Sequence, residues 1–437
     1  MADDVSSLTP VLTAEAWELL NSLPDYEQND ADGLNTSLRK QGWPAETVAA
    51  VLTQLRLRRD AKAKFGSFAQ RMLLTETGLQ QATRIPVAIR HARRFRQAGV
   101  EHVADLGCGI GADSLALASA GLQVVAVEAD ESTSAAATIN LMAFPEAQVR
   151  HTTAEDFATE HGLLPPSDPP SGWGLWLDPA RRNDRSRIWD PEEFSPPLSF
   201  VTELTSTGIP LGVKLGPGIP HDLIPADCEA EWVSIDGELV EVVLWFNALA
   251  RHDAEGRLIR RAATVLTSVP EEEPLEDGAT EGILPRIATA ELVSAEDFGQ
   301  GLSAEPVGRS GLEGVLWEPD PAVIRAGLVA ELCEQLGGRM LDEHIAYFST
   351  DSEIDTPFAR GYRVMEVLDF NVKGLKRWCA EQEVTSVEIK KRGVDVVPEQ
   401  LRKQLLPKKP RGPKRHLTLV ITRLGDDRVA AVVEPLG

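Results

Sequence analysis

Cysteine is scarce in this chain: four in 437 residues, at Cys108, Cys228, Cys333 and Cys379, with no C-x-x-C pair and no Cys/His cluster at metal-ligand spacing. That scarcity argues against a disulfide framework and a structural zinc site, and for a reducing compartment. The opening MADDVSSLTP lacks the basic start and apolar core of a signal peptide. No apolar run approaches the roughly 20 residues that a helix needs to cross a bilayer. The expectation is a soluble, cytoplasmic protein with no metal and no membrane partner. Positive charge is also short, with 44 Lys and Arg against 67 Asp and Glu, a net charge of −23. The total speaks against a polyanionic partner, but its distribution reverses that reading. Residues 56–96 carry eleven Lys and Arg against Asp60 and Glu76 alone, and residues 386–416 carry ten against Glu388, Asp395 and Glu399. Local patches, not the total, govern phosphate binding.

What is present is most specific at residues 103–130, VADLGCGIGADSLALASAGLQVVAVEAD. An apolar, β-branched run contains Asp105 near its end, and Gly107, Gly109 and Gly111 follow at alternate positions. A small-residue helix comes next, and a second apolar run ends in Glu128. Strand, glycine turn, helix, strand, acid is a βαβ unit that holds a nucleoside. The glycines let backbone approach a ligand that a Cβ would push away, and Glu128 can accept hydrogen bonds from ribose hydroxyls. Gly107, Gly109 and Ala112 formally satisfy a dinucleotide fingerprint. Asp105, however, would repel a pyrophosphate, whereas it can hold the ammonium group of S-adenosylmethionine directly or through water. The electrostatics favour the methyl donor.

The length predicts two or three domains. Residues 1–100 read as a helical N-terminal region: Thr13 is a plausible N-cap for TAEAWELLNSL, and two further helices begin at prolines 44 and 86. Residues 101–250 alternate, with strands expected at 102–106, 123–127, 147–151, 173–177 and 210–215, then a hairpin turning at Asp236-Gly237. Five parallel strands closed by an antiparallel hairpin is the class I methyltransferase layout, a Rossmann-like α/β fold with a seven-stranded sheet. Residues 251–315 read as a strand, RLIRRAATVLTSV, followed by an acidic linker that includes PEEEPLEDGATEG. Residues 316–437 read as a small α+β module opened by one amphipathic helix, PAVIRAGLVAELCEQL, and closed by a hairpin around Gly425-Asp426-Asp427.

The glycine unit, WLDPARR at 176–182, and the run EPDPAVIRAGLVAEL…TPFARGYRV…EIKKRGVDVVPEQLRK together resemble bacterial class I S-adenosylmethionine-dependent methyltransferases with a THUMP-like C-terminal domain. The resemblance implies methylation, and of a tRNA or rRNA base, because THUMP domains bind RNA in tRNA-modifying enzymes. It makes Asp105, Gly107, Gly109, Gly111 and Glu128 the donor site. In TAEDF, Asp156 becomes the candidate for the adenine amino group, with Glu155 as a substitute. Asp178-Pro179 matches the start of the segment that faces the acceptor in amino-methylating enzymes, but Ala180 replaces a second proline and Arg181 an aromatic. Trp176 or Trp189 could supply a stacking face instead. Asp178, Pro179 and Arg181 are the catalytic candidates. Arg182, Lys214, Lys390, Lys391 and Arg392 are the candidates for gripping RNA. Cys228 lacks the context of a uridine-C5 methyltransferase nucleophile. A small-molecule or protein methyltransferase, or a non-catalytic RNA-binding protein that keeps the fold, are the alternatives.

Overall fold

The computed structural model describes residues 8–24, 26, 31–181, 191–269, 286–299, 312–342, 344–406 and 414–436. The N-terminal region is helical: α1 (Ala14–Ser22), α2 (Ala31–Lys40), α3 (Ala45–Phe65), α4 (Glu76–Gln81) and α5 (Ile85–Gln97). Thr13 caps α1, its Oγ1 accepting the Ala16 N–H at 3.2 Å. Proline stands at the entrance of α3 and in the first turn of α5, where a missing N–H costs nothing.

Strands and helices then alternate: β1 (His102–Leu106), α6 (Ala112–Ser119), β2 (Gln123–Glu128), α7 (Glu131–Leu141), β3 (Ala147–His151), α8 (Ala154–Glu160), β4 (Trp173–Leu177), α9 (Leu198–Thr205) and β5 (Leu211–Leu215). The hairpin β6 (Glu229–Ile235) and β7 (Glu238–Phe246) follows, with Asp236 at φ 51° and Gly237 at φ 79°, the left-handed pair that a tight hairpin turn requires. The strands lie in the order β6-β7-β5-β4-β1-β2-β3, parallel apart from β7, and so contain the five parallel strands and the closing hairpin that were expected. The sheet continues beyond it. β8 (Arg261–Val269) joins parallel to β6, and β9 (Arg286–Ser294) pairs antiparallel with β8, making nine strands among the described residues. β9 falls inside the stretch read as linker. It is an edge strand with mostly solvated side chains, so backbone pairing rather than an apolar pattern holds it. PEEEPLEDGATEG lies outside the described residues.

The C-terminal module comprises β10 (Val315–Pro319), α10 (Pro321–Arg325), α11 (Val329–Gln335), β11 (Arg339–Asp342), β12 (Ile345–Thr350), β13 (Ala359–Asp369), α12 (Val372–Glu381), β14 (Ser386–Lys391), α13 (Pro398–Leu405), β15 (His416–Leu424) and β16 (Asp427–Pro435). They form one sheet in the order β11-β12-β10-β13-β16-β15-β14. The single helix expected at PAVIRAGLVAELCEQL is two, α10 and α11, because Gly327 takes φ 68° between them. Its carbonyl accepts the Arg261 Nη1–H at 2.7 Å, and Arg261 also pairs with Glu331 at 2.7 Å. Ser234 donates to Asp320 at 2.6 Å. One hydrophobic core runs from Leu177, Val213 and Trp232 to Trp317, Val323, Leu332 and Phe348, so the two sheets are fused through buried apolar surface.

Candidate active site

In an open α/β sheet a ligand binds beyond the carboxyl ends of the strands where the strand order reverses. Here that point lies between β1 and β4, and Asp178 N–H reaches back to Leu106 O at 3.3 Å. The glycines of the β1–α6 loop meet different demands. Gly107 has φ 88°, and a Cβ there would lie 2.9 Å from the Asp178 carbonyl oxygen. Gly109 has φ 55°, and nothing lies within 4 Å of where a Cβ would stand, leaving that face of the loop open. Gly111 packs against Leu141. Gly107→Ala is therefore expected to destabilise the fold by about 1–3 kcal/mol. Gly109→Ala meets no steric clash, so it should lose less stability, from its left-handed φ alone, and weaken donor binding. Thermal melts and donor calorimetry on both variants check this contrast.

Glu128 closes the loop from β2: its carboxylate accepts the N–H groups of Gly109 and Asp130, each at 2.9 Å. Each of its oxygens keeps a further lone pair for a ribose hydroxyl. Burial holds its pKa above the usual range. Asp105 is 1% exposed; Oδ2 accepts from Ser114 at 2.5 Å, while Oδ1 is buried without a hydrogen-bond partner. Burial, then the nearby Asp113 carboxylate, push its pKa well up. An unpaired buried oxygen beside an open glycine loop fits the ammonium of the donor, directly or through a water. Asp156 sits in the first turn of α8, exposed, with its N–H capped by Thr153.

Asp178, just past β4, is paired with Lys214 of β5 at 2.7 Å. Lys214 was expected at the rim to grip phosphate; instead its side chain is only 12% exposed and its ammonium also donates to Thr83 Oγ1 at 2.8 Å. Burial opposes the charge on Lys214, but Asp178 and the acids behind it outweigh burial and raise its pKa, so it stays an ammonium. Asp178 keeps about a third of its side chain accessible. Pro179 follows it, and Arg181 lies on a two-residue strand, Ala180–Arg181, paired with Phe194–Ser195. Arg182, Arg185, Arg187 and Trp189 lie outside the described residues. Trp176 cannot stack on a base, because it is fully buried against His91, Phe95 and Trp245. Cys228 is likewise buried, its thiol pushed up to about 12 by burial.

Residues with no motif to announce them complete the site. Thr83 Oγ1–H donates to Asp113 Oδ2 at 2.6 Å, and His91 bridges Asp113 and Glu241 at 2.7 Å to each. Asn140 ties Leu73 and the Ile110 carbonyl together, pinning the helical region to the glycine loop. Part of the basic island at 56–96 is spent inside the protein. Arg58 donates to Met72 O, Lys64 to the carbonyls of Leu79, Gln80 and Ala82, Arg90 pairs with Glu231 and Arg94 with Glu229. In the C-terminal module Lys390 is held by Glu318 at 2.8 Å and lies over Tyr362, and Arg392 lies over Tyr347. Lys391 is exposed on the edge strand β14. No cluster of three or more His, Cys, Asp or Glu side chains is placed to hold a metal ion, and no helix is long and apolar enough to cross a membrane, among the described residues.

Residues 359–435 match the THUMP domain-like family, and residues 4–61 match a domain of unknown function, DUF8688. An uncharacterized S-adenosylmethionine-dependent methyltransferase of Mycobacterium tuberculosis, in strains CDC 1551 and H37Rv, is 30% identical over 388 residues, 84% of this chain and 91% of that protein. A crystal structure from Porphyromonas gingivalis W83, attributed to a methyltransferase, superposes with a TM-score of 0.66 at 20% identity, covering 94% of this chain and all of that one.

Proposed function

The chain belongs to the S-adenosylmethionine-dependent methyltransferases, and we propose that the acceptor it methylates is RNA, bound by the THUMP-like domain and presented to Asp178. When bound, the donor supplies an electrophilic methyl group on a sulfonium. Glu128 holds its ribose, Asp105 its ammonium, and Gly109 leaves room for the nucleoside. Asp178 accepts a hydrogen bond, and then the proton, from the acceptor atom, while Lys214 orients the carboxylate and offsets part of the burial that raises its pKa. Methyl transfer is an in-line displacement, so holding donor and acceptor in register supplies much of the acceleration. Among the candidate residues, Arg181 and Arg182 stand three and four positions beyond Asp178 in the sequence and are assigned to the RNA backbone.

The observation that carries the RNA reading is the THUMP domain-like match at 359–435, in a module whose core is continuous with the catalytic sheet. Four buried, unpaired thiols support a reducing, cytoplasmic setting. Incubating labelled donor with total RNA from cells lacking the protein, then mapping the modified nucleoside, tests the proposal. Label that enters protein or small molecules and leaves RNA blank would overturn it.

Of the basic triad at the end of β14, Lys390 is engaged internally and Lys391 is exposed and can meet phosphate. Neutralising Lys390, Lys391 and Arg392 together is expected to weaken RNA affinity and flatten its salt dependence, with Lys391→Gln alone removing about 0.7 from the log–log salt slope. Fluorescence-anisotropy titrations at several salt concentrations measure the slope; an unchanged slope counts against this patch.

A further inference from the structure

We infer that His91, on the N-terminal helix α5, is a positioning residue for the Asp178–Lys214 pair, acting through Asp113 and Thr83. This rests on the reading of Asp178 as the acid that faces the acceptor.

The chain of contacts is continuous. Asp178 Oδ2 meets Lys214 Nζ at 2.7 Å, and Lys214 Nζ donates to Thr83 Oγ1 at 2.8 Å. Thr83 donates to Asp113 Oδ2 at 2.6 Å, His91 Nδ1 meets Asp113 Oδ1 at 2.7 Å, and His91 Nε2 meets Glu241 Oε1 at 2.7 Å. The links come from β4, β5, the turn before α5, α6, α5 itself and β7. Asp113 stands two residues beyond Gly111, so the same chain reaches the donor loop.

Charge explains why an imidazole stands there. Asp178, Asp113 and Glu241 are three carboxylates around Lys214, Asp113 and Glu241 being buried and Asp178 partly accessible, and Asp105 adds a fourth from β1. Lys214 alone cannot neutralise Asp178 and Asp113 together. His91 is 3% exposed, yet with a carboxylate on each ring nitrogen its pKa rises to about 9, against the effect of burial, so it is an imidazolium at neutral pH. It satisfies Asp113 and Glu241 and leaves Lys214 to Asp178. Lys64 of α3 is the other cation near Lys214, but its ammonium is engaged by three backbone carbonyls. Without the imidazolium, Asp113 would draw Lys214 inward, and Asp178 would lose its counter-charge and its orientation.

The test reads the Asp178 carboxyl directly, by carbon NMR on selectively labelled full-length protein, the signal being assigned through Asp178→Asn. In His91→Gln and in Thr83→Val the Asp178 titration midpoint is expected to move up by about one pH unit, and Thr83→Ser to restore it. Folding is checked by thermal melts, and because Thr83→Val is nearly isosteric it keeps the test open if His91→Gln does not fold. An Asp178 midpoint unchanged in both variants, or raised equally in Thr83→Ser, would overturn the inference. The same proteins are assayed with labelled donor and total RNA, where the turnover rate should fall about tenfold with KM unchanged. Wild-type protein that leaves RNA unlabelled while the Asp178 midpoint still responds to His91 would sink the RNA reading and leave the positioning role standing.

Discussion

Asp178→Asn lowers methyl transfer by about a thousandfold or more while S-adenosylmethionine affinity stays within about threefold of the wild type. Asparagine keeps the shape of the side chain and an oxygen for Lys214, so the 2.7 Å contact and the fold survive better than with alanine, which would leave a nearly buried ammonium unpaired. What asparagine cannot do is take a proton. General-base assistance contributes about two to four orders of magnitude to a rate. Misorienting the acceptor adds to that loss, because the amide presents N–H groups where the carboxylate accepted. The donor contacts lie on β1 and β2 and do not pass through Asp178. Single-turnover rates with labelled donor, set beside donor binding by calorimetry, separate the two effects. Equal loss of rate and donor affinity would move Asp178 out of the catalytic role and into the construction of the donor loop, where its carbonyl already lies against Gly107.

Glu128→Ala should raise the donor dissociation constant by about a hundredfold. A hydrogen bond to a charged group contributes about 1.5–3 kcal/mol, and two ribose hydroxyls share this carboxylate. The same substitution frees the Gly109 N–H, loosening the loop that faces the nucleoside. Asp105→Asn should cost less in affinity and change its pH dependence. The folded protein holds the Asp105 proton more tightly than the unfolded chain does, since its pKa is raised by burial and by Asp113. The free protein therefore loses stability as pH climbs from the ordinary carboxylate range through the raised pKa, because folding must then bury an unpaired negative charge. Donor affinity runs the other way over the same window: it rises as Asp105 ionises and can meet the ammonium. Calorimetry in buffers of different ionisation enthalpy should show up to about one proton released on donor binding, and none in Asp105→Asn. A wild-type protein that binds the donor with no proton release and no pH dependence would remove Asp105 from ammonium binding.

The donor and the βαβ unit proposed to hold it were legible in the sequence because their signals are local. Asp105, Gly107, Gly109, Gly111 and Glu128 fall within 24 residues on that one unit. The strands of the catalytic domain and the Asp236-Gly237 turn were legible for the same reason: buried parallel strands read as apolar runs, and a left-handed turn selects its residues. β9 was not, since an edge strand exposed to water needs no apolar pattern. The break between α10 and α11 was missed because a glycine inside an amphipathic pattern becomes a break only when another element, here Arg261, claims its carbonyl.

Sequence alone thus determined the fold class, the donor and the strand end where the acid Asp178 stands. Tertiary structure decided what surrounds that acid. Lys214 and Asp178 are 36 residues apart and meet because β5 lies beside β4; Thr83, His91, Asp113 and Glu241 meet because α5 packs against α6 and its His91 reaches Glu241 on β7. It also decided the fate of part of the first basic island, where Arg84, Arg90 and Arg94 answer acids on the sheet instead of a phosphate backbone. A charge on a helix reads the same in sequence whether it faces water or a buried carboxylate. Only packing tells the two apart, because an unpaired charge in the interior costs several kcal/mol and every buried one must find its partner there.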